Sequence, residues 1–389
     1  MKQKILVVAR VYLPGERAGG PVRSIANMVA SLYGKLQFHI LCGDRDRGDK
    51  GSYDGLPLNE WVELGNARAC YLTPEGRFIR IAEVLHEDYD VVYLNSFFDP
   101  EFSILPLILR KFFGRRASRW ILAPRGEFSE GALGIKAAKK RAFILFSKMA
   151  GLHKGVIWHA STLHEVRDIE RIMGRGLEIR VATNLAAPDD GEIERGCLAA
   201  KRPGELRIVS ISRITRKKNL HFAINLLRDV DARVTFDIFG PIADEQYWEQ
   251  CVVAIRDLPP NINVTYRGVL AHEQVGEVFS SYDVFLFPTL GENFGHACIE
   301  ALRSGCVLLV SDQTPWLELE ANRVGWALSL DNYEKFQEAL RTLAAFGSHE
   351  MQSMRDSCRA YASEKLSEIN SLQPWEALFS GSHRETLGS

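Results

Sequence analysis

Long apolar runs are missing from this sequence. No segment approaches the ~18 consecutive apolar residues of a membrane span, and the apolar part of the start, MKQKILVVARVYLP, has about six residues, as a first strand would, too few for a secretory signal. Cysteine is sparse: the seven (Cys42, Cys70, Cys197, Cys251, Cys298, Cys306 and Cys358) are scattered, odd in number and form no Cys-x-x-Cys. Such a pattern suggests neither a disulfide framework nor a zinc site and points to a reducing compartment. There is no His-Glu-x-x-His, no Gly-x-Ser-x-Gly and no P-loop, and Gly15, Gly19 and Gly20 lack the spacing of a dinucleotide fingerprint. No fixed-period repeat or low-complexity segment occurs. Asp44 and Asp46, in GDRDRGD, resemble a metal-binding carboxylate pair, but in so charged a stretch a solvated loop is expected. His153, His159 and His164 have no ligand spacing and read as core or surface residues. No metal site is expected.

What is present is ordinary for soluble globular protein: 389 residues, 46% hydrophobic and 25% charged, enough for two cores. The net charge of -1 conceals an asymmetry: residues 1–185 hold 28 Lys+Arg against 20 Asp+Glu, and the remainder 20 against 29. Between Arg110 and Lys154 twelve basic residues face only Glu127 and Glu130. Such a stretch is either a solvated surface or a seat for an anionic partner. A membrane surface or lipid-diphosphate acceptor suits it better than nucleic acid, since no aromatic-interleaved RNA motif accompanies it.

Short β-branched runs recur with helical stretches between them: ILVVA (5–9), FHILC (38–42), VVYL (91–94), WILAP (120–124), VIWHA (156–160) and EIRVA (178–182). That is a parallel-sheet pattern. Helices are expected at 21–32, opened by a proline, and at 161–172, opened by a Ser/Thr cap. AAPDDGEIERG (186–196) reads as a linker. The alternation then restarts with strands at 206–212, 234–240, 262–268, 283–288 and 307–312, and helices around 219–229, 272–280 and 296–304. The fold class is therefore α/β with two Rossmann-like domains, over 1–190 and 200–365, and a helical tail over 366–389. In open parallel sheets, ligands bind beyond the carboxyl ends of the strands.

One segment carries most of the chemistry: FLFPTLGENFGHACIEALRSGCVLLVSD (285–312) reads strand, Gly-punctuated loop, short helix, strand. A helix starting near Gly295 and ending before Gly305 leaves the amides of Asn293, Phe294, Gly295 and His296 without intrahelical partners, in a dipole field that favours negative charge. That makes a phosphate seat. Gly291 and Gly295 allow close backbone approach. Glu292 and Glu300 are separated by seven residues, and in a continuous helix would lie ~80° apart, able to line one pocket.

Glu-x7-Glu within this segment resembles the retaining glycosyltransferases of family 4, which have the GT-B fold. The resemblance implies two domains facing each other across a cleft, with a C-terminal helix crossing back to the first. It assigns Glu300 to the donor ribose, Glu292 to the donor sugar, and the amides of Phe294, Gly295 and His296 to sugar hydroxyls and diphosphate. SISRITRKKNL (210–220) is similar to the family's Gly-Arg-x4-Lys-Gly segment, with Arg213 and Lys218 on the basic positions and Ser212 and Asn219 in place of glycines. Those cations would neutralise the leaving diphosphate without a metal. YLPGERAGGPVRS (12–24) is similar to the loop that closes over the diphosphate, through Gly19 and Gly20. Where many members carry a histidine facing the donor sugar, WILAPRGEF has Arg125, a candidate for acceptor or phosphate, beside Asn95, Ser96 and Asp99 as acceptor-facing residues.

The implied activity is transfer of a sugar from a nucleoside diphosphate sugar, a co-substrate rather than a cofactor, to a hydroxyl of a glycan or lipid-linked acceptor in cell-surface polysaccharide synthesis. Glu292, Arg213 and Lys218 would be catalytic. A front-face route, in which the departing phosphate oxygen takes the proton of the incoming hydroxyl, needs no protein nucleophile. The location expected is cytoplasmic, peripheral on the inner face of the membrane through 110–154, with no nucleic-acid partner. The alternatives are a sugar-nucleotide epimerase or phosphorylase of the same architecture, and a noncatalytic scaffold.

Overall fold

The β-branched runs form strands in both halves of the chain. The computed structural model describes residues 2–15, 17, 19–113, 117, 119–134, 137–187 and 200–380. The chain divides into a first unit, Met1–Pro188 with Ile369–Ser389, and a second, Asp189–Glu368. The expected linker 186–196 lies outside the described residues from position 188 on.

In the first unit the strands are β1 (Gln3–Val8), β2 (Leu36–Gly43), β3 (Trp61–Leu64), β4 (Ala67–Leu72), β5 (Val91–Leu94), β6 (Arg119–Leu122), β7 (Ile157–Ala160) and β8 (Ile179–Val181). They lie in the order β3-β4-β2-β1-β5-β6-β7-β8. All neighbours are parallel except the β3–β4 hairpin, which the alternation pattern had not shown. Its signal was the pair Gly65-Asn66, with φ 55° at Gly65, a two-residue turn that suits glycine.

Successive residues of β1 point to opposite faces, and both faces are covered. Ile5 and Val7 join a core with Ile25, Met28 and Leu32 of the helix Gly20–Leu32, while Leu6 and Val8 join one with Ile81, Val84, Leu107 and Ile169. That is why the run reads as continuously apolar instead of alternating. Trp375, Leu378 and Phe379 of the C-terminal helix Gln373–Ser380 complete the first of these cores.

The second unit holds β9 (Glu205–Ile211), β10 (Arg233–Phe239), β11 (Ile262–Gly268), β12 (Val284–Phe287), β13 (Val307–Ser311) and β14 (Gly325–Leu328), in the order β11-β10-β9-β12-β13-β14 and all parallel. β14 is the unanticipated edge. A Cβ at Gly325 would meet the Leu308 carbonyl oxygen at 1.9 Å, so only glycine admits that pairing. Strand order reverses between β9 and β12, which opens a crevice at their carboxyl ends. Burial raises the carboxyl of Asp283, ahead of β12, but Arg207 and Arg355 hold it below the ordinary range.

Candidate functional site

The loops that leave β9 and β12 build one corner of the second unit. After β9, Ser212 donates its amide to the Phe239 carbonyl at 3.1 Å. Half-buried Arg213 follows, and then a single 3-10 turn, Arg216–Lys218. Asn219 ends that turn in the left-handed region (φ 58°, ψ 37°). This explains the departure from the glycine pattern, because asparagine is the side chain that best tolerates this conformation. The basic turn is tied to the second loop through the Lys217 carbonyl, which accepts from the Leu290 amide at 2.8 Å and the Thr289 hydroxyl at 3.1 Å.

After β12 the chain passes Thr289, which is fully buried, and reaches Glu292, whose amide donates to the Gln313 carbonyl at 2.8 Å. The Glu292 carboxylate accepts a short hydrogen bond from the Lys218 ammonium and another, at 3.1 Å, from the Asn293 amide. Burial would push this carboxyl up; Lys218 and, more weakly, Lys217 overcome it and hold it at about 2, fully ionised at neutral pH. Lys218 also lies 4.8 Å from the centroid of the Phe287 ring. Two of the three groups expected to be catalytic, Lys218 and Glu292, are thus in contact with each other.

The helix His296–Arg303 opens on Gly295, which is left-handed (φ 78°, ψ 62°) and makes no side-chain cap. A Cβ there would meet the Trp316 indole nitrogen at 3.1 Å and Glu292 Cγ at 3.3 Å. The amides of Phe294, Gly295 and Ala297 donate to no protein group among the described residues. They remain available to an anion at a helix start, whereas Asn293 and His296 each have a partner. Because the helix begins only at His296, Glu292 sits in the loop before it, and the ~80° separation from Glu300 that a continuous helix implies does not apply. Glu300 is half-buried on the second turn and also partnered.

The remaining candidates belong to the first unit. Gly19 (φ 72°, ψ -139°) precedes the helix Gly20–Leu32. The loop before it is pinned from below: the Arg17 amide donates to Asp46 at 2.8 Å, and the Tyr71 hydroxyl donates to the Leu13 carbonyl at 2.6 Å. Asp44 and Asp46 do not form the solvated loop expected of them; they are 0% and 8% exposed, Asp44 bound by Arg45 and Ser52 and Asp46 by main-chain amides. Inward-facing partners outweigh the charge density that argued for exposure.

At the carboxyl end of β6, Arg125 has φ 55°, uncommon for a side-chain-bearing residue. Its guanidinium donates to Asn95 at 2.7 Å, to the Tyr93 hydroxyl at 2.8 Å and to Asn184 at 2.5 Å, and no carboxylate pairs with it among the described residues. Ser96 donates to Glu127 at 2.8 Å. Asp99 caps the π-helical turn Pro100–Ile104, accepting from the Phe102 amide at 2.8 Å, and pairs with Arg10.

Sequence reasoning missed Trp316, whose indole donates to the Phe294 carbonyl at 2.7 Å, and also Lys217, Gln313 and Asn184. None has a spacing signal. Trp316 and Gln313 come from the far side of β13, and Lys217 and Gln313 act through carbonyl groups. Among the described residues no group of three or more His, Cys, Asp or Glu could hold a metal ion, and no helix is long and apolar enough to cross a membrane.

Residues 199–365 match the family model of glycosyl transferases group 1. Among solved structures the chain is similar to HepE of Anabaena in complex with UDP and glucose (14% identity, 97% of this chain and 100% of that one, TM-score 0.70). It is similar also to the sucrose-phosphate synthase of Thermosynechococcus elongatus (14%, 98% and 100%, TM-score 0.66). A third is WaaG, a glycosyltransferase involved in lipopolysaccharide biosynthesis (12%, 97% and 100%, TM-score 0.65). At such identities the likeness is one of fold. No curated protein matches the sequence.

Proposed function

We propose that this chain, whose residues 199–365 match the glycosyl transferases group 1 model and whose fold is that of GT-B structures, transfers a sugar from a nucleoside diphosphate donor to a hydroxyl of a glycan or lipid-linked acceptor, with retention, in cell-surface polysaccharide synthesis. The observation that carries the reading is the corner where the amides of Phe294 and Gly295, without a partner among the described residues, adjoin the Lys218–Glu292 pair. The amides, with Arg213 and Lys218, stabilise the negative charge that develops on the diphosphate. They do so by main-chain and cationic groups alone, so the transfer is metal-independent. Glu292, ionised, accepts from hydroxyls of the donor sugar, and Glu300 accepts from the ribose.

In a front-face transfer the C1–O bond to the diphosphate breaks, the acceptor oxygen bonds C1 on the same face, and the acceptor proton passes to the departing phosphate oxygen. In this reading Gly19 and Gly20 serve the donor diphosphate, and Arg125, Asn95 and Asp99 serve the acceptor. The enzyme works in the cytoplasm, peripheral to the membrane. HepE was crystallised with UDP-glucose, so UDP is the first base to try. Calorimetric titration with UDP and GDP, followed by a nucleotide-sugar panel scored for donor hydrolysis, tests the reading; if neither nucleotide binds, it fails.

A further inference from the structure

The helix Ala137–Met149 in the first unit is apolar on two opposite faces. Phe143 and Ile144 pack against the core, and Ser147 is buried. At about 100° per residue, Ala138, Ala142, Leu145, Phe146 and Met149 fall within roughly 100° of arc on the far side. All five are exposed, Leu145 by 61%, Phe146 by 59% and Met149 by 80%. A helix of a soluble domain normally turns charge outward there. The charges lie along the margins instead: Arg141 and Lys148 on one side of the stripe and Lys139 on the other, all exposed and without an ion pair among the described residues.

A second helix, Leu105–Phe113, extends the patch. Lys111 donates to the Ala150 carbonyl, which brings the end of that helix against the end of Ala137–Met149, and its neighbour Phe112 is 73% exposed. No acidic residue occurs from Gly131 to His164 or from Phe102 to Gly126. Apolar side chains bordered by cations, with carboxylates excluded over so long a stretch, match an anionic bilayer: the apolar stripe enters the acyl boundary while the cations meet phosphate headgroups. A protein partner would have to supply an equally acidic and equally apolar groove.

We propose that Leu145, Phe146, Met149 and Phe112 insert into the surface of an anionic membrane, with Lys139, Arg141 and Lys148 gripping its headgroups. This deepens the peripheral location given above, and rests on that reading rather than on the donor chemistry. The test is co-sedimentation of the full chain with vesicles of phosphatidylcholine alone or with about 30% phosphatidylglycerol, at low and high salt, with UDP titration run alongside.

Binding is expected to the anionic vesicles only and to be reduced but not abolished by salt. Phe146→Glu with Met149→Glu should weaken it at least about tenfold with UDP affinity unchanged. Hydrogen exchange of 138–149 should slow on anionic vesicles, a readout that needs no variant. Absence of anionic binding, equal binding by the double variant, unchanged exchange, or a wild-type dimer that the double variant dissociates would each overturn the proposal. Loss of UDP binding with vesicle binding intact would instead overturn the donor site alone.

Discussion

Lys218→Met removes the cation but keeps an apolar stem beside Phe287, so its effect isolates the charge. Glu292 is held at about 2 against an ordinary 4.5, a difference equivalent to about 3 kcal/mol. Because the two side chains are still 16% and 20% exposed, solvent screening trims the pair to about 2 kcal/mol. A depressed carboxyl contributes stability that is present above 4.5 and is lost as pH falls through about 2. The penalty of Lys218→Met is therefore largest at neutral pH and shrinks in acid.

Urea unfolding of the full chain, of Lys218→Met, of Glu292→Gln and of the double variant measures the coupling directly, expected at about 2 kcal/mol at pH 7. Titration adds an independent sign. The carboxylate neutralises the ammonium before donor arrives, so Glu292→Gln should bind UDP several-fold more tightly while transferring sugar more slowly. Additive single-variant effects, within about 0.5 kcal/mol, together with weaker UDP binding by Glu292→Gln would refute the reasoning.

Trp316→Phe deletes the indole donor to Phe294 and should cost about 1 kcal/mol of UDP affinity; an unchanged affinity in calorimetry would show that the ring only fills space. Burial lowers His39 and His153 to about 4 and His159 to about 3. The unfolded chain, with histidines near 6.5, therefore takes up more protons between those values, and stability should fall as pH drops from about 6.5 to about 4. Thermal unfolding across that range checks it, with His153→Phe flattening the slope; a level profile in the wild type would count against it.

The reading from sequence succeeded where signals were local. Strands buried on both faces produce unbroken apolar runs, so β1, β5, β11 and β12 lie within about two residues of their expected ends. Glycines flanking Glu292 mark a loop that must come close to something, and Gly295 does take the left-handed conformation. What was lost depended on long-range contacts. Strand β3 of the hairpin and the edge β14 are short and only partly buried, with little periodicity to detect. Asp44 and Asp46 carry the same letters whether solvated or buried, and only the partners supplied by Arg45, Ser52 and the Arg17 amide decide between the two. Trp316 is invisible as a site residue for the same reason: its importance rests on which carbonyl its indole meets after β13 has been laid down.

The return of the chain to its first unit constrains the order in which the molecule can mature. Trp375 and Phe379, both fully buried in the core made by β1, β2 and the helix Gly20–Leu32, leave the ribosome after the whole second unit has been synthesised. Until then the nascent amino-terminal unit lacks two of the aromatic rings that fill its interior. A chain released after position 369 should show a second unit able to fold beside an amino-terminal one that proteases still cut.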